Sequence, residues 1–407
     1  MKKFHVSLLI LLFSLALACI VGSIIFLRSE KSRRFTPYVI INPYAYRDYY
    51  QIPADENTTL EKMLSISKNL GFKGIGVYGL EGWMAENRLP LILALIDNYG
   101  FDTIIYINWL DITKNVTDSS CWNQTGFPYN QTQVSAFLDY VGNISLIARN
   151  FACVKAYVLQ YPYWQNESLD EWKEFVVDSI EYKQNLQKII NRIHAIDPER
   201  EIYLSSDMLE RWFGSDFEES SKLPYDFANI TGFGFSCYYE PDKDKCAKGY
   251  IEKLEYYYEF FRKKSKEYAS GKVVFSEWGF KTNPHAKTSE GLVKNEREKA
   301  EMIKEVLNHV KGWDCPVCYF MLHDFPKENA DWGIVTSNLT MKISAYAFKD
   351  ILNPDKNSTS LFEYAIYFRP SKREMRSHYN SYKFLVKKNF SKFNEYFRLF
   401  EVFIRCS

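Results

Sequence analysis

Short apolar runs alternate with longer stretches in which apolar residues recur every three or four positions, from residue 37 to residue 352. The short runs predict strands at Tyr38–Asn42, Gly74–Tyr78, Thr103–Asn108, Lys155–Gln160, Glu201–Ser205, Gly232–Ser236, Val273–Ser276 and Val317–Leu322. The helical spacing predicts Leu60–Asn69, Leu89–Tyr99, Gln133–Arg149, Glu171–Ile196, Ile251–Tyr268 and Glu296–Val310, with Lys342–Leu352 after the last strand. Gly71 and Gly100 stand where a left-handed helix cap is needed, each just before a strand. The fifth crossover, Ser206 to Ile230, is the poorest, with only Leu209–Phe213 briefly helical in pattern. Eight strands alternating with helices over this length predict an α/β fold, a (β/α)8 TIM barrel. An open doubly wound sheet is the rival, but no glycine-rich phosphate loop follows any strand.

The two ends break the alternation, which divides the chain into 1–36, 37–352 and 353–407. Phe4 to Leu27 is apolar and uncharged apart from His5, long enough to cross a hydrocarbon core of about 30 Å. A cleaved signal peptide has an apolar region of only about 7–15 residues, so an uncleaved transmembrane helix is expected. Both flanks are basic and give no orientation. Ten Asn-X-Ser/Thr sequons, among them Asn143, Asn166, Asn229 and Asn338, place the body outside the cytoplasm as a glycoprotein. In the tail, Phe393, Phe397, Phe400 and Ile404 fall at helical spacing among basic residues, predicting an amphipathic helix that packs on the barrel or lies on the membrane.

A net charge of +1 gives no reason to expect nucleic acid as a partner, and the oligomeric state is left open. Tyr and Phe, 30 of each, suit either a sugar-binding groove or an aromatic core. Cys237 and Cys246 flank a short polar loop and are the expected disulfide. Cys315 and Cys318 form a CxxC without a second pair, so no zinc or other metal is expected, and no cofactor.

Barrel chemistry sits where the strands end. Those exits carry Glu81, Asp111, Asp207, Glu240, Glu277 and Asp324, with Glu167 a little beyond the fourth. Trp83, Trp109, Tyr163, Trp164, Tyr239, Trp278 and Trp332 accompany them. Carboxylates among aromatic rings suit a carbohydrate, whose hydroxyls take hydrogen bonds while its C–H faces stack. His323 alone of the histidines points to the mouth.

FSEWGF, after the seventh strand, resembles the nucleophile motif of the clan of retaining (β/α)8 glycoside hydrolases that includes cellulases and mannanases. GFSCYYEP resembles the clan's sixth strand, whose conserved Tyr is Tyr239 here, and MLHDFPKENADWGIV resembles its eighth strand and following loop. The resemblance covers residues 37–352 and implies Glu277 as nucleophile, with Tyr239 hydrogen-bonded to it. The sequence departs from the clan at the fourth strand, where an Asn-Glu supplies the acid/base. Here VLQYPYW has Gln160 and Tyr161. The clan's eighth-strand Trp corresponds to Leu322 or His323, and its His near the Tyr to Cys237. Retaining hydrolysis needs a second carboxyl about 5–5.5 Å from the first. Glu240 and Glu167 are the nearest candidates, Asp207 and Asp324 weaker ones. The expected sugar contacts are Tyr239, Trp278, Gln160, Tyr161, Trp109, Trp164 and His323. The resemblance thus implies a glycoside hydrolase, which the Phe4–Leu27 stretch would anchor at a membrane. The alternatives are a carbohydrate-binding protein that has lost the acid/base Glu and a surface structural protein.

Overall fold

A computed structural model describes residues 35–42, 56–78, 88–107, 131–160, 180–206, 224–244, 246–283, 285, 289, 291–324 and 331–353. Eight parallel strands close into a barrel in chain order. They are β1 (Thr36–Ile41), β2 (Gly74–Val77), β3 (Asp102–Ile107), β4 (Val154–Gln160), β5 (Glu201–Ser206), β6 (Gly232–Ser236), β7 (Lys272–Trp278) and β8 (Pro316–Tyr319). Helices α1 (Glu56–Leu70), α2 (Leu89–Asn98), α3 (Gln131–Ala148) and α4 (Ile180–Ile196) follow the first four strands. After β6 come a helical turn, Pro241–Asp244, and α5 (Ala247–Tyr268); α6 (Glu296–Val310) and α7 (Ile343–Leu352) follow β7 and β8.

The predicted barrel is the observed one, and the predicted caps hold. Gly71 and Gly100 take φ of 95° and 71°. Each donates to a carbonyl of the last helical turn, Lys68 and Asp97, and Phe72 and Phe101 donate to the carbonyls one residue further back, Ser67 and Ile96. α1 and α5 begin at Glu56 and Ala247 rather than Leu60 and Ile251. β8 stops at Tyr319 rather than Leu322, because Phe320 and Leu322 donate to Trp278 and Ile40 outside a regular ladder. The Phe320–Met321 peptide is cis.

Two apolar layers hold the wall. Tyr38, Ile40, Ile104, Tyr106, Ala156, Val158, Tyr203, Val274, Cys318 and Met321 fill the interior. Gly74 leaves the space that the Tyr38 ring occupies, since a Cβ there would run into it. The larger layer lies between strands and helices, where Phe235 stacks on Phe275 at 4.7 Å and Trp313 on Tyr258 at 4.2 Å. No helix among the described residues is long and apolar enough to cross a membrane. The segment Phe4–Leu27, the chain from residue 354 onward and Leu209–Phe213 lie outside the described residues.

Candidate active site

The site begins with a break in the alternation of β7. Phe235 of β6 pairs with Phe275, but the next residue, Ser236, pairs with Glu277. On the other side Phe275 pairs with Val317 and Trp278 with Tyr319, three residues of β7 against two of β8. This is a β-bulge, one extra residue that re-aims the side chains after it. Phe275 and Trp278 therefore both join the outer layer. Ser276 and Glu277, between them, both meet groups of the interior.

Ser276 Oγ lies 2.5 Å from Ser205 Oγ and 3.1 Å from Ser236 Oγ, and its carbonyl accepts from the Tyr106 hydroxyl at 2.5 Å. Glu277, 4% exposed, accepts from the Tyr238 hydroxyl at 2.9 Å. Tyr106 and Cys318 face it. Burial raises both, with the charge of Glu277 adding to it, and the Cys318 thiol is pushed up to about 12. Both are protonated at neutral pH and add no charge beside Glu277.

An arc of aromatic rings leads away from this carboxylate. Tyr238 meets Trp332 edge to face at 5.1 Å, Trp332 meets Phe320 at 5.9 Å, Phe320 meets Tyr78 at 6.1 Å, and Tyr78 meets Tyr106 at 5.7 Å. The Lys281 ammonium lies 4.8 Å from the centre of the Trp332 ring. From α6, buried Lys299 donates to the carbonyls of Asp331, Trp332 and Gly333 at 2.8–3.1 Å, fixing the loop that bears Trp332. Burial pulls the Lys299 ammonium down to about 8 despite Glu296 beside it. Among the described residues, the exit of β7 thus sets a buried carboxylate beside several aromatic rings.

Several expected contacts fall elsewhere. The donor to Glu277 is Tyr238, not Tyr239. Counting outward from Gly234 and Ser236, the strand's alternation turns Tyr238 inward and Tyr239 into the outer layer. There Tyr239 packs on Tyr250 and Phe280 at 5.9 and 6.4 Å. Trp278, 0% exposed, is enclosed by Tyr319, Phe280, Phe348 and Phe275 rather than set in the mouth. Phe320, not Leu322 or His323, is the aromatic that follows β8 at the mouth. Leu322 belongs to the outer layer. His323 is wholly buried, its Nδ1 3.3 Å from the Asp324 carbonyl, and burial drops it to about 4, so it is neutral.

Glu240 is partly buried where the turn 241–244 begins, its N–H donating to Asp244. Asp324 accepts from Lys342 at 2.7 Å and from the Gly333 N–H at 3.1 Å; burial raises its carboxyl, and Lys342 opposes the rise. Gln160 ends β4, in register with Ser205. Tyr161, Trp109, Trp164, Glu167 and Asp207 lie outside the described residues. The expected Cys237–Cys246 disulfide is not formed. Cys237 is buried at the exit of β6, whereas Cys246 is exposed at the start of α5.

No protein-family model matches the sequence, and no curated protein matches it significantly. Solved structures do resemble the barrel. GH5_18 from Streptomyces cattleya, solved with GlcNAc, aligns with a TM-score of 0.55 at 12% identity, over 80% of this chain and 82% of its own. Bacteroides uniformis β-glucuronidase 2, covalently bound to a cyclophellitol-6-carboxylate aziridine, gives 0.56 at 11% identity, over 79% of this chain and 36% of its own. The GH2 β-galacturonidase from Eisenbergiella tayi gives 0.52 at 14%, over 79% and 51%. The chain thus spans about half the length, or less, of the GH2-type enzymes it resembles. At these identities the likeness is one of fold, a barrel that known glycoside hydrolases use.

Proposed function

We propose that this protein is a glycoside hydrolase that cleaves an extracytoplasmic polysaccharide or glycan with retention, from a barrel held at a membrane by its N-terminal segment. One observation carries the reading: a carboxylate, 4% exposed, at the exit of β7, turned inward by a bulge and hydrogen-bonded by Tyr238. The aromatic arc and the likeness of fold to glycoside hydrolases support it. Glu277 attacks the anomeric carbon, its C–O bond forming as the glycosidic bond breaks, while an acid protonates the departing oxygen. Water then attacks the glycosyl-enzyme, passes its proton to the same group, now a base, and frees Glu277. Glu240, two residues beyond Tyr238, is the leading acid, and Glu167 the second choice.

The test is covalent trapping. A panel of activated 2-deoxy-2-fluoro glycosides should leave a glycosyl group on the peptide containing Glu277, and activated aryl glycosides should be cleaved. Oligosaccharide binding without cleavage of even activated substrates overturns the hydrolase and selects the second reading, a carbohydrate-binding protein. The exit of β4 favours that alternative, because Gln160 and Tyr161 replace the clan's acid/base Glu. The membrane reading rests on Phe4–Leu27 and the sequons, of which Asn229 and Asn338 are exposed. Purified protein should retain residues 1–27 and carry glycans. A barrel that is unglycosylated and protease-protected in right-side-out cells would reverse the orientation.

A further inference from the structure

The four residues leaving β6, Cys237 to Glu240, are held along their backbone. The Cys237 N–H donates to the Glu277 carbonyl at 2.9 Å, and its own carbonyl accepts from the Tyr250 hydroxyl at 2.7 Å. The Tyr238 carbonyl accepts from Lys253 Nζ at 2.9 Å, and the Tyr239 carbonyl from the Gly291 N–H at 2.5 Å. The Glu240 N–H donates to Asp244 Oδ2 at 2.6 Å, and its carbonyl accepts from the Asp244 N–H at 2.7 Å. Lys253 and Asp244 close the set as an ion pair of 2.8 Å, their side chains only 8% and 6% exposed. Lys253 also lies 5.5 Å from the centre of the Tyr250 ring.

A buried ion pair is a poor device for stability alone, since the desolvation of both charges offsets most of their attraction. This one also bonds two backbone groups of a single loop, and that loop presents Tyr238. We infer that Asp244 and Lys253 are positioning residues for the site, setting the point from which Tyr238 donates its hydroxyl to Glu277. The pair ties this loop at the place where the sequence predicts a Cys237–Cys246 disulfide. The inference rests on the reading of Glu277 as the working carboxylate. Other titratable groups that face Glu277 include Tyr106 of β3 and Cys318 of β8, both neutral.

The consequence is readable without catalysis. A donor to the ionised carboxylate lowers its titration midpoint, by on the order of one unit for a single bond. The full chain is labelled with [5-13C]glutamate, and the Glu277 resonance is identified by its loss in Glu277→Gln. Tyr238→Phe should raise the midpoint. Lys253→Met strands the Asp244 charge and can fail to fold, so the decisive variant is Asp244→Asn with Lys253→Met. It removes both charges and leaves the net charge unchanged; a residual field effect would add to that of Tyr238→Phe, whereas a displaced Tyr238 would not. That double variant should raise the Glu277 midpoint in the same direction, and adding Tyr238→Phe to it should raise it no further.

A midpoint that stays at the parent value while the melting temperature falls makes the pair a structural feature only and overturns the inference. So does a shift that adds in full to that of Tyr238→Phe. Where aryl glycosides are cleaved, the acidic limb of kcat/KM should move with the resonance. If the parent cleaves none, the hydrolase reading fails by itself, and the titration still decides the role of the pair.

Discussion

Adjacent residues at the exits of β6 and β7 go to opposite faces of the barrel wall. Tyr238 and Glu277 turn to the interior, whereas Tyr239 and Trp278 enter the layer between strands and helices. The inner face is lined by hydroxyls, a thiol and a carboxylate tied by hydrogen bonds. The outer face is lined by rings in contact with rings. Trp278 is more buried than Glu277, so burial does not distinguish the carboxylate proposed to react. What separates the pair is the cost of what is buried. A ring gains by leaving water, whereas a carboxylate loses unless donors meet it. The outer layer should therefore answer to substitution in stability and the inner face in chemistry.

The pair Glu277 and Trp278 tests that division most severely. Glu277→Gln keeps the shape and removes the attacking charge, so hydrolysis of any glycoside that the parent cleaves should fall by roughly 10⁴-fold or more. Its sugar affinity should survive, and its melting temperature should stay the same or rise. Trp278→Ala should do the reverse, losing about 3–5 kcal/mol of stability in urea unfolding. The fraction that remains folded should bind sugar as the parent does. A Trp278 variant that folds well but no longer binds would put the indole back in the mouth.

His323 tests the rule that the fold tolerates a buried polar group only in its uncharged form. Burial lowers its pKa in the folded state to about 4, against about 6.5 unfolded. Between those values the unfolded chain binds more protons, so stability rises with pH across the window. The contribution is fully present above pH 6.5 and is lost as the pH falls toward 4, about 3 kcal/mol in all. Urea unfolding of the parent and of His323→Gln at stepped pH should show the difference between them shrinking by that amount. Parallel curves would mean that His323 is solvated or paired in the native state.

The barrel was legible because its signals are repeated and local. Eight apolar runs, seven amphipathic stretches and two capping glycines all point to one architecture, and an error of a few residues at α1 or β8 changes none of it. The site was only partly legible. Glu277 stood out as a carboxylate closing an apolar run. The bulge beside it leaves no mark in the sequence, because an inserted Ser reads like any strand residue, so the sequence alone puts Trp278 in the mouth. Tyr238 was within reach. The alternation of Gly234, Ser236 and Tyr238 on one face, against Phe233, Phe235 and Tyr239 on the other, separates the two tyrosines once followed past the strand end. The disulfide failed for another reason: proximity in sequence says nothing of direction, and Cys237 is buried while Cys246 faces solvent.

The two tyrosines supply the smallest and most discriminating comparison, since each loses one oxygen and nothing else. Tyr238→Phe removes a bond to a carboxylate, a loss of about 2 kcal/mol, or roughly 30-fold in kcat/KM on a glycoside the parent cleaves. Because the lost donor favoured the ionised form of Glu277, the acidic limb of the pH profile should also move upward. Tyr239→Phe leaves its ring against Tyr250 and Phe280, so activity should stay within about twofold and stability within about 0.5 kcal/mol. Both proteins should be measured on the same substrate across the same pH range. If the two losses were equal, the tyrosines would share the site, and a one-residue difference in register could not be what separates the working face from the packed one. If Tyr239→Phe alone lost activity, the inner and outer faces at the exit of β6 would have to be exchanged, and the clan's conserved tyrosine would be Tyr239 after all.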